Sequence, residues 1–392
     1  MAQEKMQQLQ EPIATMAPVM CVVGARPNFM KMAPILRALA EHVPPIPALL
    51  LHTGQHYDTD MSKKLFVDLG LPQPDINLEV GSGSHAQQTA EVMRRFEPVL
   101  DEHKPSCVLV VGDVNSTLAC TLVAVKKDVP VAHVEAGLRS YDRRMPEEIN
   151  RILTDQVADK LYTTERSAAG NLEREGIAAE RICFTGNVMI DSLEASRPHA
   201  KPPAQTLQAH GLSAELVGAP QGYGVVTLHR PSNVDTPEML TRLLGVLAQV
   251  SRDLPLVFAM HPRTRSNIER FGLTGLLDPA RVAVLPPQGY LEMLGLMAGA
   301  TLVLTDSGGL QEETTALGVP CLTLRENTER PITVEQGTNT MVGVEPAAIL
   351  AGVGEILSGR GKRGRVPEYW DGHAAERIAA DLWQWLAAPA RG

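Results

Sequence analysis

Several features are scarce or missing in this chain of 392 residues, and each absence narrows its class. No apolar run approaches the roughly 20 residues that a membrane-spanning helix needs, so no membrane partner is expected. There is no excess of positive charge: 36 Lys and Arg against 45 Asp and Glu leave a formal charge of −9. Without a net positive field to attract phosphate backbones, nucleic acid is not an expected partner, although a local basic pocket is compatible with that charge. The opening stretch, MAQEKMQQLQEPIATMAP, lacks the basic and apolar regions of a signal peptide, and residues 1–18 read as a disordered tail. Cysteine is sparse. Cys21, Cys107, Cys120, Cys183 and Cys321 are odd in number, scattered and without CxxC spacing. That pattern points away from a disulfide framework and toward buried free thiols in a reducing cytosol. There is no solenoid-type repeat and no low-complexity tract.

What is present reads as globular: 44% hydrophobic and 21% charged residues, with length for two domains of ordinary size. Short apolar runs alternate with helix-like stretches. The first series is MCVVG (20–24), ALLLHTG (48–54), CVLVVGD (107–113), VAHV (131–134), KLYTT (160–164) and ICFTG (182–186). The second is GVVTLH (224–229), PLVFAMH (255–261), VAVLPP (282–287), TLVLTDS (301–307) and PCLTL (320–324). These runs lack period-two alternation, as expected of strands buried on both faces of a parallel sheet. Strand and helix in alternation predict a doubly wound α/β architecture. A Pro-, Ala- and Gly-rich stretch over 196–224 separates the series, and the boundary is placed just before it, near residue 190.

Ligands of doubly wound sheets bind beyond the carboxyl ends of the strands. Those positions hold Arg26, His56, Asp113, Glu135, His229, His261 and Ser307. In LTDSGGLQEETTALGVP (304–320) a strand ends, Ser307-Gly308-Gly309 follows, and a helix begins. Free N–H groups and the helix dipole suit a phosphate there, and the glycines allow close approach. A plainly capped helix, with Glu312 and Glu313 complementing the dipole, is the other reading. In GARPNFMKMAP (24–34), Arg26 and Lys31 suit a pyrophosphate at a second helix start. GSGSHA (81–86) fits a dinucleotide fingerprint, but DINLEV before it is too polar for a central strand, so it reads as a flexible loop. His52 and His56 are four apart across Gly54, at a strand exit rather than on a helix, and no metal site is assigned.

HVEAGLRSYDRRMPEEINR (133–151) holds three glutamates and four arginines within nineteen residues. Pro146 followed by Glu147 and Glu148 marks a helix start. Ile149, Ile152, Leu153 and Val157 form one apolar face, and Glu147 and Arg151 fall together roughly opposite it. An exposed salt bridge would account for that pair alone. It would not account for Glu135 and Asp113 at neighbouring strand ends. Three carboxylates converging on one cleft would raise one another's pKa and supply an acid and a base.

Taken in order, GARPNFMKMAP, TGQHYD, VVGDVNSTLA, HVEAGLRSYDRRMPEEINR, TLHRPSNVD, PPQGYLEML and LTDSGGLQEETTALGVPCLTLRENTERPITVEQGTN resemble the bacterial non-hydrolysing UDP-N-acetylglucosamine 2-epimerases over residues 20–343. The resemblance implies two Rossmann-like doubly wound domains (glycosyltransferase-B-like), 19–190 and 191–373, with the active site in the cleft between them. It implies a C-terminal helix, 374–392, crossing back to the first domain. It also implies a cytoplasmic homodimer that needs no cofactor or metal, with UDP-N-acetylglucosamine and UDP as ligands. By the same resemblance, Arg26 and His229 are pyrophosphate ligands, Ser307, Gly308 and Gly309 the diphosphate loop, and Glu313 the ribose ligand. Gln288 and Met293 flank the uracil, and Arg330 belongs to the nucleotide site. Asp113, Glu135 and Glu147 are the acid/base carboxylates, with Lys31, Arg151 and His229 alongside. Two departures stand out: Ala25-Arg26-Pro27-Asn28 replaces the common T-R-P-E, and the 139–148 loop is shorter than in some members. Gln55, Glu147, Arg230 and His261 fall near positions where some members bind an activating substrate, with a poor match around Tyr57 and Asp58. A hydrolysing epimerase, a UDP-sugar glycosyltransferase and a silent UDP-sugar sensor stay open as alternatives, as do related UDP-hexosamines as substrate.

Overall fold

A run such as Val19-Met-Cys-Val-Val23 has no polar residue to present to water, so both of its faces must be covered. It forms a strand buried at all five positions. A computed structural model describes residues 16–54 and 68–388 and, at Arg26, the backbone alone. His56, Gln55, Tyr57 and Asp58 lie outside the described residues.

The first sheet holds β1 (Val19–Val23), β2 (Ala48–His52), β3 (Ile76–Asn77), β4 (Cys107–Val111), β5 (Val131–Ala136), β6 (Lys160–Thr163) and β7 (Ile182–Phe184). The second holds β8 (Gly224–Thr227), β9 (Leu256–Ala259), β10 (Val282–Leu285), β11 (Leu302–Thr305), β12 (Cys321–Thr323) and β13 (Asn339–Met341). Their spatial orders are β3-β2-β1-β4-β5-β6-β7 and β10-β9-β8-β11-β12-β13. Every pairing is parallel. Each order reverses once, between β1 and β4 and between β8 and β11. The apolar runs of the sequence lie on eleven of these strands. The other two strands, β3 and β13, each at one edge of its sheet, are too short and polar to carry that signal.

The GSGSHA segment is more ordered than a flexible loop. Ser84 Oγ accepts from Gln87 N at 3.3 Å and Gln87 Oε1 accepts from Ser84 N at 3.1 Å, a capping box at the start of the His85–His103 helix.

The segment 196–224 carries the chain from one sheet to the other through a short helix, Pro203–Ala209. The C-terminal helix Ala374–Ala387 packs on the helix Arg26–Glu41 beside the first sheet. Trp383 and Trp385 lie partly buried against that core. The helix start is capped from afar: the Asp191 carboxylate accepts from Ala374 N at 3.1 Å and Ala375 N at 2.6 Å. No helix among the described residues is long and apolar enough to cross a membrane.

Candidate active site

The two order reversals set the site. Connections diverge at such points and leave a crevice outside the carboxyl ends of the strands. Beyond β1 lie Asn28 and Lys31, beyond β4 lies Asp113, and at the end of β5 stands Glu135. Across from them, His229 follows β8, Ser307 to Gly309 follow β11, and Arg330 follows β12.

Glu135 is held by an irregularity. The β5–β6 register slips between Val134 and Ala136, and Glu135 takes φ +72°. A bulge of this kind turns one side chain out of the strand's alternation. The carboxylate then meets Lys31 at Oε2 and Arg330 Nη2 at Oε1. All three residues are buried. Burial pushes the Glu135 carboxyl upward, but Lys31 and Arg330 outweigh it and hold it below its ordinary value. Gly112 makes room for the pair: it sits at φ +67°, and a Cβ there would lie 3.0 Å from Lys31 Nζ. Asn28, where the common motif has Glu, braces the preceding turn. Its Oδ1 accepts from Ala25 N at 2.8 Å and its Nδ2 donates to Val111 O at 2.9 Å.

Asp113 pairs with Arg151. The anticipated Glu147–Arg151 pair is not what forms. Arg151 Nη2 instead lies 2.8 Å from Glu148 Oε2. Glu148 also accepts from Ser140 N at 3.0 Å and Tyr141 N at 2.8 Å, tying the short loop to the helix Pro146–Val157. The reason is orientation. The helix buries its polar side, Glu148, Asn150, Arg151, Thr154 and Asp155, and turns the apolar side outward, with Leu153 44% exposed. Glu147 stays half-buried at the helix start. Periodicity reports which residues share a face, not which face meets the core, so Glu148 was missed.

His229 is set by Asp306, which the sequence reading passed over within TDSGG. Asp306 is fully buried; its carboxylate lies 2.7 Å from His229 Nδ1 and accepts from His229 N, Arg230 N and Asn233 Nδ2 at 2.9 to 3.1 Å. Burial raises the Asp306 carboxyl, but His229 and these N–H donors hold it below its ordinary value. A carboxylate can only accept, so Nδ1 carries the proton and Nε2 is left for the cleft. The His261 ring lies 5.8 Å from that of His229, and its Nδ1 caps the helix Pro262–Arg270 through Arg263 N at 3.2 Å.

Ser307 precedes the helix Gly308–Leu317, and its side chain makes no capping bond. Gly308 is needed for closeness, since a Cβ would fall 2.5 Å from Glu329 Oε1, whereas a Cβ on Gly309 would meet open space. Glu312 and Glu313 are in the second turn, not the first, so neither complements the dipole at the helix start. Both are buried. Glu313 bears on the Tyr290 hydroxyl. Glu312 Oε1 lies 2.9 Å from Arg330 Nε and accepts from Asn187 Nδ2 of the facing domain at 2.8 Å. Gln288 is buried, donating to Pro286 O at 2.7 Å, and Met293 packs against the second domain's core.

The structure therefore brings Lys31, Asp113, Glu135, Arg151 and Arg330 into one linked cluster. It places His229 and Ser307 to Gly309 together at the facing reversal. The Arg26 side chain is outside the description.

Two doubly wound parallel sheets meeting across a crevice define a glycosyltransferase-B-like α/β protein. The chain belongs to the UDP-N-acetylglucosamine 2-epimerase family. The family model of that description matches residues 38–382. A UDP-N-acetylglucosamine 2-epimerase of Methanocaldococcus jannaschii is 41% identical over 364 residues, 92% of this chain and 97% of that protein. A UDP-2,3-diacetamido-2,3-dideoxy-D-glucuronate 2-epimerase of Pseudomonas aeruginosa is also 41% identical, over 93% of this chain and 99% of that protein. The crystal structure of the M. jannaschii UDP-GlcNAc 2-epimerase in complex with UDP-GlcNAc and UDP superposes with a TM-score of 0.81 at 40% identity, covering 94% of this chain and 99% of that one. The Neisseria meningitidis UDP-GlcNAc 2-epimerase bound to UDP-GlcNAc gives 0.82 at 29% identity, covering 94% and 100%.

Proposed function

We propose that this chain interconverts UDP-N-acetylglucosamine and UDP-N-acetylmannosamine by eliminating UDP and adding it back. The observation that carries this is the buried Glu135 carboxylate. It is held ionised between Lys31 and Arg330, and Arg330 in turn reaches Glu312 on the helix that follows Ser307.

The chemistry requires such a pairing. The C2 proton of the sugar is not next to a carbonyl, so direct removal is too slow. When the C1–O bond breaks, its electron pair leaves with UDP and C1 gains oxocarbenium character, which acidifies C2–H. A carboxylate takes that proton and 2-acetamidoglucal forms. UDP then re-adds at C1 while C2 is protonated on its opposite face. Two proton-transfer positions and a stabilised leaving group are needed. In this reading Glu135 and Asp113 handle protons near C2 and Glu147 shares that role, with Lys31 and Arg151 setting their charge. Arg26, His229, Ser307, Gly308 and Gly309 hold the departing diphosphate. Glu313 takes the ribose, Gln288 and Met293 flank the uracil, and Arg330 spans the nucleotide and proton-transfer sites.

Residues 19–190 and 191–373 act as the two domains that close on the nucleotide sugar. The outward apolar side of the helix Pro146–Val157 supports a homodimer with that face in the contact. Free cysteines at all five positions agree with a cytoplasmic site of action.

The test is proton NMR of the protein with UDP-N-acetylglucosamine in D₂O. UDP-N-acetylmannosamine with deuterium at C2 of both epimers is the expected result. Free sugar with stoichiometric UDP would mean a hydrolysing enzyme instead. If UDP binds but the sugar is unchanged, the P. aeruginosa relative makes UDP-2,3-diacetamido-2,3-dideoxy-D-glucuronate the next substrate to try.

A further inference from the structure

Arg330 is the one side chain in the cluster that touches carboxylates of both domains. Its Nη2 pairs with Glu135 Oε1 at the end of β5, and its Nε lies 2.9 Å from Glu312 Oε1 on the helix Gly308–Leu317. The second contact is an ion pair whose angle is too poor for a hydrogen bond. The Glu312 position is fixed in turn by Asn187, at the start of the helix Val188–Ser196. One Asn187 side chain serves two domains: Oδ1 caps its own helix through Met189 N at 2.9 Å, and Nδ2 donates to Glu312 Oε1 at 2.8 Å. All four residues are buried. A guanidinium is planar and rigid, so partners on two of its edges fix its plane. Arg330 Nη1 is left buried without a hydrogen-bond partner among the described residues.

Resting on the epimerase reading above, we infer that Glu312 is a positioning residue for the reaction: together with Asn187 it holds Arg330 against Glu135 when the two domains meet. Glu312 touches no reacting atom in this account and acts through Arg330. Two carboxylates share one guanidinium, so each weakens the other's claim on it. The other charged groups facing Glu312 are Lys31 from the helix Arg26–Glu41 and Glu165 from the end of β6. Burial and the Glu135 charge favour a proton on Glu312 and outweigh Arg330, Lys31 and Asn187, so its carboxyl lies above its ordinary value. A helix-capping or dipole role does not explain Glu312, because it lies in the second turn and bonds across the domain boundary.

The experiment compares full-length wild type, Glu312→Leu and Glu312→Gln, reading kcat against pH, and UDP affinity by calorimetry. Glu312→Leu leaves Arg330 Nε and Asn187 Nδ2 without the oxygen they meet, so the guanidinium is held less firmly against Glu135 and the Glu135 pKa rises. The acid limb of kcat for Glu312→Leu should then move to higher pH by about half to one unit, with a plateau roughly tenfold lower because Glu135 is less well placed. UDP affinity should stay within about threefold, so that binding and the proton step separate. Glu312→Gln keeps an acceptor at the same reach and should restore the position of the limb. An unmoved limb in Glu312→Leu overturns the inference, as does a loss of kcat that tracks UDP affinity or thermal stability in both variants. Wild type that does not epimerise overturns the epimerase reading and this one together. Active wild type with an unmoved limb overturns this one alone.

Discussion

Glu135 shows how much one residue's backbone can decide. Its φ of +72° costs on the order of 1 kcal/mol or more and is kept because Lys31 and Arg330 meet the side chain it aims. Glu135→Gln preserves the shape and removes the base. Turnover should fall on the order of 10²–10⁴-fold while UDP still binds, as calorimetry would show; retained turnover would remove Glu135 from the reaction. Asp306 makes a second prediction. Asp306→Asn takes away the acceptor that keeps the proton on His229 Nδ1. By analogy with other histidines whose carboxylate partner becomes an amide, kcat should drop roughly 10²-fold or more. KM should change far less, and steady-state kinetics separates the two. At this scale the sequence was partly legible. Asp113 and Glu135 stood out as charged residues at strand ends, and Lys31 as a cation at a helix start. Glu148, Asp306 and Glu312 did not, because each sits beside a more conspicuous neighbour and only burial distinguishes it.

At the scale of elements, strands were easier to read than helix faces. Continuous apolar runs such as CVLVV can only be satisfied inside a two-faced sheet, and β4 is buried throughout. The helix Pro146–Val157 is the instructive exception. Its apolar side faces outward because Glu148, Arg151 and Asp155 make contacts that water could not replace: Arg151 and two N–H groups for Glu148, and His133 and Arg139 at 2.7 Å for Asp155. This side, with Leu153 at its most exposed point, is where the proposed homodimer contact is placed. Leu153→Asp should therefore weaken self-association roughly tenfold or more, with little effect on the fold of one protomer, since Leu153 is already 44% exposed. Sedimentation equilibrium checks it. An unchanged dimer would place the contact elsewhere.

At the scale of the whole molecule, charge buried where the domains meet links stability to pH. Glu165, 1% exposed at the end of β6, has its carboxyl pushed up to about 7, chiefly by burial. Ser167 Oγ donates to its Oε1, while Oε2 has no hydrogen-bond partner among the described residues. Between its ordinary 4.5 and about 7, the folded protein binds more protons here than the unfolded chain. Stability from this group is therefore present at low pH and declines as pH rises through that window, by roughly 3 kcal/mol. Glu165→Gln abolishes the linkage. Its melting temperature should exceed that of wild type at pH 8, and the gap should close toward pH 5 in calorimetric scans. A pH-independent gap would mean that Glu165 is ionised throughout.

From the order and apolarity of its runs alone, this chain determines eleven of its strands, the α/β class, and which motifs stand at strand ends. Those properties follow from local chemistry, because a residue's hydropathy and its neighbours in sequence are enough to demand a buried parallel strand. The tertiary structure alone decides that Arg151 turns to Glu148, that the helix beside it hides its polar side, and that Arg330 and Asn187 reach across to the opposite domain. The contacts of Arg330 and Asn187 join residues far apart in the chain, and that of Arg151 with Glu148, though three residues apart, depends on which face of the helix is buried. Their energies depend on desolvation and on distances of a few ångströms, which no spacing along the sequence encodes.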